Sequence, residues 1–155
     1  MNCLEAMADI ANIITPVVLV GYFLYRQHKI QQRKRWKKYI GCWGNEGLVN
    51  EPVPDIFVEL ELEVDLEDGE VSGILNVRKT KKEFEDKNIS ISGNMKWKHA
   101  SVSLTNIKRD GIIIEYGSVK LRLENKNLKW GLIDGDTNYF PKEVILHRTL
   151  SSKPV

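Results

Sequence analysis

Asp55-Ile-Phe-Val-Glu-Leu-Glu-Leu-Glu-Val-Asp-Leu66 alternates apolar and acidic residues without a break from Val58 onward. Val58, Leu60, Leu62, Val64 and Leu66 share one side of an extended chain, and Glu59, Glu61, Glu63 and Asp65 share the other. A period of two places one face in a core and the other in water, the pattern of a strand in an antiparallel sheet. Glu67-Asp-Gly-Glu70 then supplies a hairpin turn, and Val71, Gly73, Leu75 and Val77 return along the same side.

The same period continues outward from this hairpin in both directions. Before it, Tyr39-Ile-Gly-Cys-Trp-Gly44 reads as a short strand closed by a turn at Asn45-Glu46-Gly47, and Pro52 and Pro54 bar helix in between. After it, Arg78 to Asn88 reads as a charge-dense loop. Ile89, Ile91, Gly93, Met95 and Trp97 alternate with polar residues, as do Val102 and Leu104, and Arg109-Asp-Gly111 turns the chain again. Ile112, Ile114 and Tyr116 change parity to Val119, Leu121 and Leu123 across Gly117, where a bulge or barrel corner is expected. Asn125-Lys-Asn127 leads into Leu128, Trp130 and Leu132, and a last strand runs from about Glu143 to Arg148. About eight short antiparallel strands result, and a small closed barrel is expected because closure removes exposed sheet edges. A two-sheet sandwich is the alternative. The inward positions are almost wholly aliphatic, and a barrel of this size is filled by side chains or holds one small ligand.

The amino-terminal part has a different character. Ile10 to Tyr25 is a nearly uninterrupted apolar run, about 20 residues long when extended back to Ala6, which as a helix spans roughly 30 Å, the thickness of a bilayer's hydrocarbon. The run ends at Tyr25-Arg26 without a small-residue cleavage site, which argues against a secretory signal. Residues 1–25 carry a charge of −2 and residues 26–38 carry +7, which leaves −3 for the remainder of a +2 chain. Basic residues gather on the cytoplasmic side of a span, so the amino end is expected outside and the β-domain in the cytoplasm. The expected fold is therefore a single N-terminal transmembrane α-helix with a basic stalk (1–38) and an all-β antiparallel barrel (39–155). Glu5, Asp9 and Asn12, spaced four and three apart, lie within about 40° on one helical face. Polar groups in lipid seek partners, so this face is a candidate for self-association of the helix, with outer headgroups as the alternative contact.

Residues that carry chemistry are sparse. His28, His99 and His147, with Cys3 and Cys42, show no metal-ligand spacing, so neither a metal nor a cofactor is expected. Gly69 and Gly73 belong to a hairpin and have no following helix, so they are not a phosphate loop. The carboxylates of Asp55 to Leu66 alternate onto a wet face, and an enzyme is the least favoured class.

A membrane segment, a basic stalk and a small barrel opening with Gly41-Cys-Trp-Gly44 together resemble the membrane-anchored, lipocalin-like β-barrel effectors of bacterial cyclic-oligonucleotide (CBASS-type) anti-phage systems. The short motif that carries the resemblance is the Gly41 and Trp43 pair, which lipocalins share. The resemblance implies a single-pass protein of the bacterial inner membrane whose cytoplasmic barrel binds a cyclic di- or oligonucleotide made by a partner nucleotidyltransferase. It also implies that the subunits form a homo-oligomer and disrupt the lipid bilayer. Such a ligand needs cations or amide donors for its phosphates and aromatic faces for its bases. Tyr116, Trp97 and Trp130 are the candidate stacking faces, and Arg78, Asn138 and Tyr139 the candidate rim contacts. Two other functions stay open at this point: a membrane-tethered carrier or sensor of an apolar ligand, and an adaptor subunit that docks another protein.

Overall fold

The computed structural model describes residues 3–46, 53–79, 85–107 and 110–149, with side chains from residue 16 onward apart from 85–87. The chain divides into two compact units, Met1–Arg35 and Trp36–Val155. The division falls three residues before the expected boundary because Trp36 and Tyr39 are buried in the core of the second unit.

Eight strands are described in that second unit: β1 (Gly41–Gly44), β2 (Ile56–Val64), β3 (Glu70–Lys79), β4 (Glu85–Lys96), β5 (His99–Ile107), β6 (Ile113–Glu124), β7 (Asn127–Gly135) and β8 (Glu143–Arg148). Each pairs antiparallel with the next, and β8 pairs with β1, so the sheet is a closed up-and-down barrel and not a sandwich. The architecture is consistent with a lipocalin-like fold. The alternation read from Val58 to Val64 holds residue by residue, with the valines and leucines buried and the glutamates exposed. The bulge expected at Gly117 is present, since the register shifts on both sides of that residue, against β5 at Leu104/Thr105 and against β7 at Ser118/Val119.

The segment Arg78–Asn88 departs from the expected loop. β3 continues to Lys79 and β4 starts at Glu85, with Arg78 opposite Glu85 and Val77 opposite Asp86. The charged positions are carried into the ladder at an end of the barrel, where the backbone pairing and not the residue type decides the strand. Asn88 has a positive φ of 66°, and the register shift it accompanies resets the alternation before Ile89.

The interior is filled by the protein's own side chains, among them Trp43, Trp130, Phe140, Leu60, Leu75, Leu104 and Leu146. One end, where the chain enters, is plugged. The Tyr39 hydroxyl donates to the Lys98 carbonyl at 2.9 Å and accepts from the Leu123 amide at 3.1 Å, tying two hairpins together. The Trp43 indole N–H donates to the Tyr39 carbonyl at 2.8 Å. Arg148 stacks over the Trp43 ring at 5.0 Å and donates to the carbonyls of Lys38 and Ile40, both at 3.0 Å. These contacts support the narrowest seam, where β8 meets β1 through the ladder pairs Trp43↔Arg148 and Gly44↔His147 and the Thr149 amide donates to the Cys42 carbonyl at 3.0 Å.

Burial pushes the Tyr39 hydroxyl above its ordinary pKa, while the Leu123 amide and the Arg122 charge pull less strongly the other way. The folded protein therefore keeps this proton where the unfolded chain, titrating near 10, has lost it. Stability from Tyr39 is intact below about pH 10 and declines as pH rises above it. Urea midpoints measured between about pH 9 and about pH 11 should fall, and Tyr39→Phe should flatten that slope while costing about 1–3 kcal/mol for the orphaned amide and carbonyl.

The first unit consists of the greater part of α1 (Cys3–Trp36), a 34-residue helix that runs through the basic stalk and contains Pro16. The eight large apolar side chains Val17–Val20 and Tyr22–Tyr25 are 58–67% exposed although successive residues point to different sides, so this run is apolar all round. Among the described residues, no helix is long and apolar enough to cross a membrane, so the transmembrane expectation is not recovered there. The described side chains take in only Val17–Tyr25 of the apolar run, about 13 Å of helix, before the basic residues begin. Glu5, Asp9 and Asn12 belong to the helix, and their side chains lie outside those described.

Candidate functional site

The end opposite the plug is built differently, and it gathers four of the six residues singled out from the sequence. Arg78 sits near the end of β3, with its guanidinium 4.8 Å over the Phe57 ring and 3.2 Å from the Glu46 carboxylate. Both partners of that pair are more than half exposed. Asn138 and Tyr139 lie in the β7–β8 connection, and Tyr116 lies on β6.

The connection is wound tightly by Asp136. Its carboxylate accepts from the Asn138 backbone and side-chain amides at 2.8 and 2.9 Å, and its carbonyl accepts from the amides of Tyr139 and Phe140, both at 3.0 Å. This winding turns Phe140 inward to full burial, edge-on to Tyr116 at 5.9 Å, and leaves Tyr139 at the surface. The Lys79 ammonium crosses to the Asn138 carbonyl at 3.0 Å and anchors the loop over the barrel. Asn45 completes the mouth from the β1 side: its side chain accepts from the Val58 amide at 2.7 Å and donates to the Ile56 carbonyl at 2.8 Å, satisfying backbone groups where β1 ends.

The other two candidates are not part of this mouth. Trp130 is 0% exposed and its indole N–H donates to the Pro141 carbonyl at 2.9 Å, so it is core that supports the loop and offers no ring face to a ligand. Trp97 is 55% exposed but lies at the plugged end, in the β4–β5 turn beyond the last ladder pair, Lys96↔His99. Its place in the turn removes it from the alternation that made it look inward. Lys79 and Asn45 were not distinguishable in the sequence, since a lysine in a charged segment and an asparagine in a turn carry no signal of a long-range partner. Among the described residues, no group of His, Cys, Asp and Glu is arranged to hold a metal.

Chemically, the mouth presents an arginine whose counter-ion is an exposed carboxylate, a lysine bound to a neutral carbonyl, and a surface tyrosine. An incoming phosphate can exchange with Glu46 at Arg78, because the pair is solvated and contributes at most about 1 kcal/mol. Arg78→Ala and Tyr139→Ala should each change stability by less than about 1 kcal/mol in chemical denaturation, as expected of rim groups. Compared with protein-family models, with curated proteins and with solved structures, the chain matches none.

Proposed function

We propose that this protein is a membrane-associated effector of anti-phage type whose barrel mouth binds a cyclic oligonucleotide. Occupancy would control self-association of the amino-terminal helix and the integrity of the bilayer. The observation that carries the reading is the convergence of Arg78, Lys79, Asn138 and Tyr139 on one end of a barrel whose interior is already full. A ligand held at the rim of such a barrel must be polar and anionic, and stacking on an exposed tyrosine suits a nucleobase. The exposed, all-round apolar run of α1 supports the membrane half of the reading, since a helix of this kind seeks lipid or other copies of itself. The source of the ligand is then an enzyme that joins nucleotides, a nucleotidyltransferase. Glu5, Asp9 and Asn12 remain the proposed contact face between helices in that assembly.

The filled interior speaks against a carrier of apolar molecules. An adaptor role has one observation in its favour: Ile107, Ile112 and Ile113 are all exposed where β5 turns into β6, a small apolar tip of the kind that protein partners cover. Dye release from vesicles carrying the full-length protein separates these readings. Release on addition of one class of cyclic nucleotide is the expected result. Unchanged permeability with every cyclic di- and trinucleotide, under conditions where the protein is bound to the vesicles, would sink the effector reading.

A further inference from the structure

The outer surface of the barrel carries a charge pattern that the mouth does not use. At the plugged end, Lys96 on β4 lies opposite His99 on β5, His99 opposite Arg122 on β6, and Arg122 opposite Lys129 on β7. All four point outward, since the alternate positions Met95, Ala100, Leu121 and Leu128 are core. Neighbouring strands are about 4.8 Å apart, so the row is a band roughly 14 Å long in which Lys96, Arg122 and Lys129 supply the charge and His99 stands between them. Two carboxylates share it, Glu124 at 3.2 Å from Arg122 and Glu143 at 3.6 Å from Lys129; Lys98 and Lys120 flank it and Asp68 and Glu70 stand on its β3 side, so the cationic excess lies toward β5 to β7. The His99 pKa is lowered first by burial and then by Lys120, Lys96 and Arg122, which is the signature of a side chain sitting in a cationic field. Trp97, beside the band in the β4–β5 turn, is the one exposed tryptophan of the chain's four; Trp36, Trp43 and Trp130 are buried.

We infer that this band and Trp97 form a second docking surface, by which the barrel lies against an anionic lipid surface. The inference rests on the membrane association proposed above. Basic residues next to an exposed tryptophan match the headgroup zone, where anionic lipid attracts lysine and arginine and the indole sits at the apolar boundary. This is also the end at which Trp36 and Tyr39, both buried, and the basic residues Lys37 and Lys38 lead into β1, so further cations stand at this end of the barrel. A single-stranded nucleic acid would equally meet positive charge, but its bases stack on successive aromatic rings, and here one ring is exposed beside the band. The surface is separate from the mouth, which is at the opposite end, so a barrel docked this way keeps Arg78 and Tyr139 open to ligand.

Because Trp97 alone among the tryptophans is exposed, its fluorescence reports on this surface without a label. Full-length protein is mixed with phosphatidylcholine vesicles or with vesicles containing phosphatidylglycerol, and both vesicle pelleting and acrylamide quenching are measured. Quenching should fall roughly two-fold on the anionic vesicles only. The protection should disappear at high salt, and it should also be lost in the Lys96→Glu/Arg122→Glu/Lys129→Glu variant. The salt arm uses the unaltered protein and stands even if the variant folds poorly. If the protein pellets with both kinds of vesicle but Trp97 is quenched equally on each, the docking surface is wrong and the membrane helix stands. Failure to pellet with any vesicle overturns the membrane reading together with this one. Protection of Trp97 by a single-stranded oligonucleotide, with no effect of anionic lipid, would reassign the band to nucleic acid.

Discussion

Gly117→Ala is expected to destabilise the barrel by about 3–5 kcal/mol, enough to unfold much of a domain whose total stability is about 5–15 kcal/mol. Gly117 has φ of +133°, a region that residues with a Cβ rarely enter. A Cβ there would overlap the Asp134 carbonyl oxygen and lie 2.8 Å from the Gly135 Cα. These obstacles are backbone on the paired strand β7, so no side chain can move aside to admit the methyl group. The register also shifts on both flanks of this position, so relief by sliding one ladder would break the other. Gly111→Ala is the control: its φ is +80° but nothing lies within 4 Å of the added Cβ, and only the conformational cost of about 1 kcal/mol applies. Urea denaturation of the two variants side by side should separate them by several-fold in effect.

Trp43→Ala should be comparably severe, at about 3–5 kcal/mol for the lost volume and up to about 2 kcal/mol more for the polar groups left behind. The Trp43 ring is fully buried, its N–H satisfies the Tyr39 carbonyl, and Arg148 rests on its face while bracing Lys38 and Ile40. One substitution thus removes the centre of the plug and loosens the two-pair seam between β1 and β8. Trp97→Ala, by contrast, should change stability by less than about 0.5 kcal/mol, because that ring is exposed in a turn. Chemical denaturation midpoints of these two tryptophan variants measure directly how differently the two rings are used.

The contrast between the tryptophans also marks where the sequence was legible. Strict alternation placed β2 and the buried halves of β4 to β7 because a period of two fixes which side chains face inward, whatever their chemistry. It failed at Trp97, where the strand ends one residue earlier than the pattern implies, and at Glu85–Asn88, where a charge-dense segment that looks like loop joins the ladder. Arg78, Tyr116, Asn138 and Tyr139 reached the same mouth because they flank turns at one end of an even-stranded meander, a consequence of topology that residue types at those positions could hint at. The contacts that shape the mouth were not legible. Lys79 reaches Asn138 across 59 positions, and Asn45 stitches β1 to β2 only because the backbone there needs both a donor and an acceptor. The helix shows the converse case, since its apolar run is plain in the sequence while the described part carries too little of it to establish a crossing.

The central claim is that the Arg78 and Tyr139 end of the barrel is a site for a cyclic nucleotide, and thermal unfolding of the full-length protein in detergent against a panel of cyclic di- and trinucleotides tests it most directly. One class should raise the stability by about 2.7 kcal/mol at a concentration 100 times its Kd. In Arg78→Ala/Tyr139→Ala that shift should vanish while the ligand-free midpoint stays almost where it was. A panel that moves no midpoint, or a shift that survives intact in the double variant, would contradict the account.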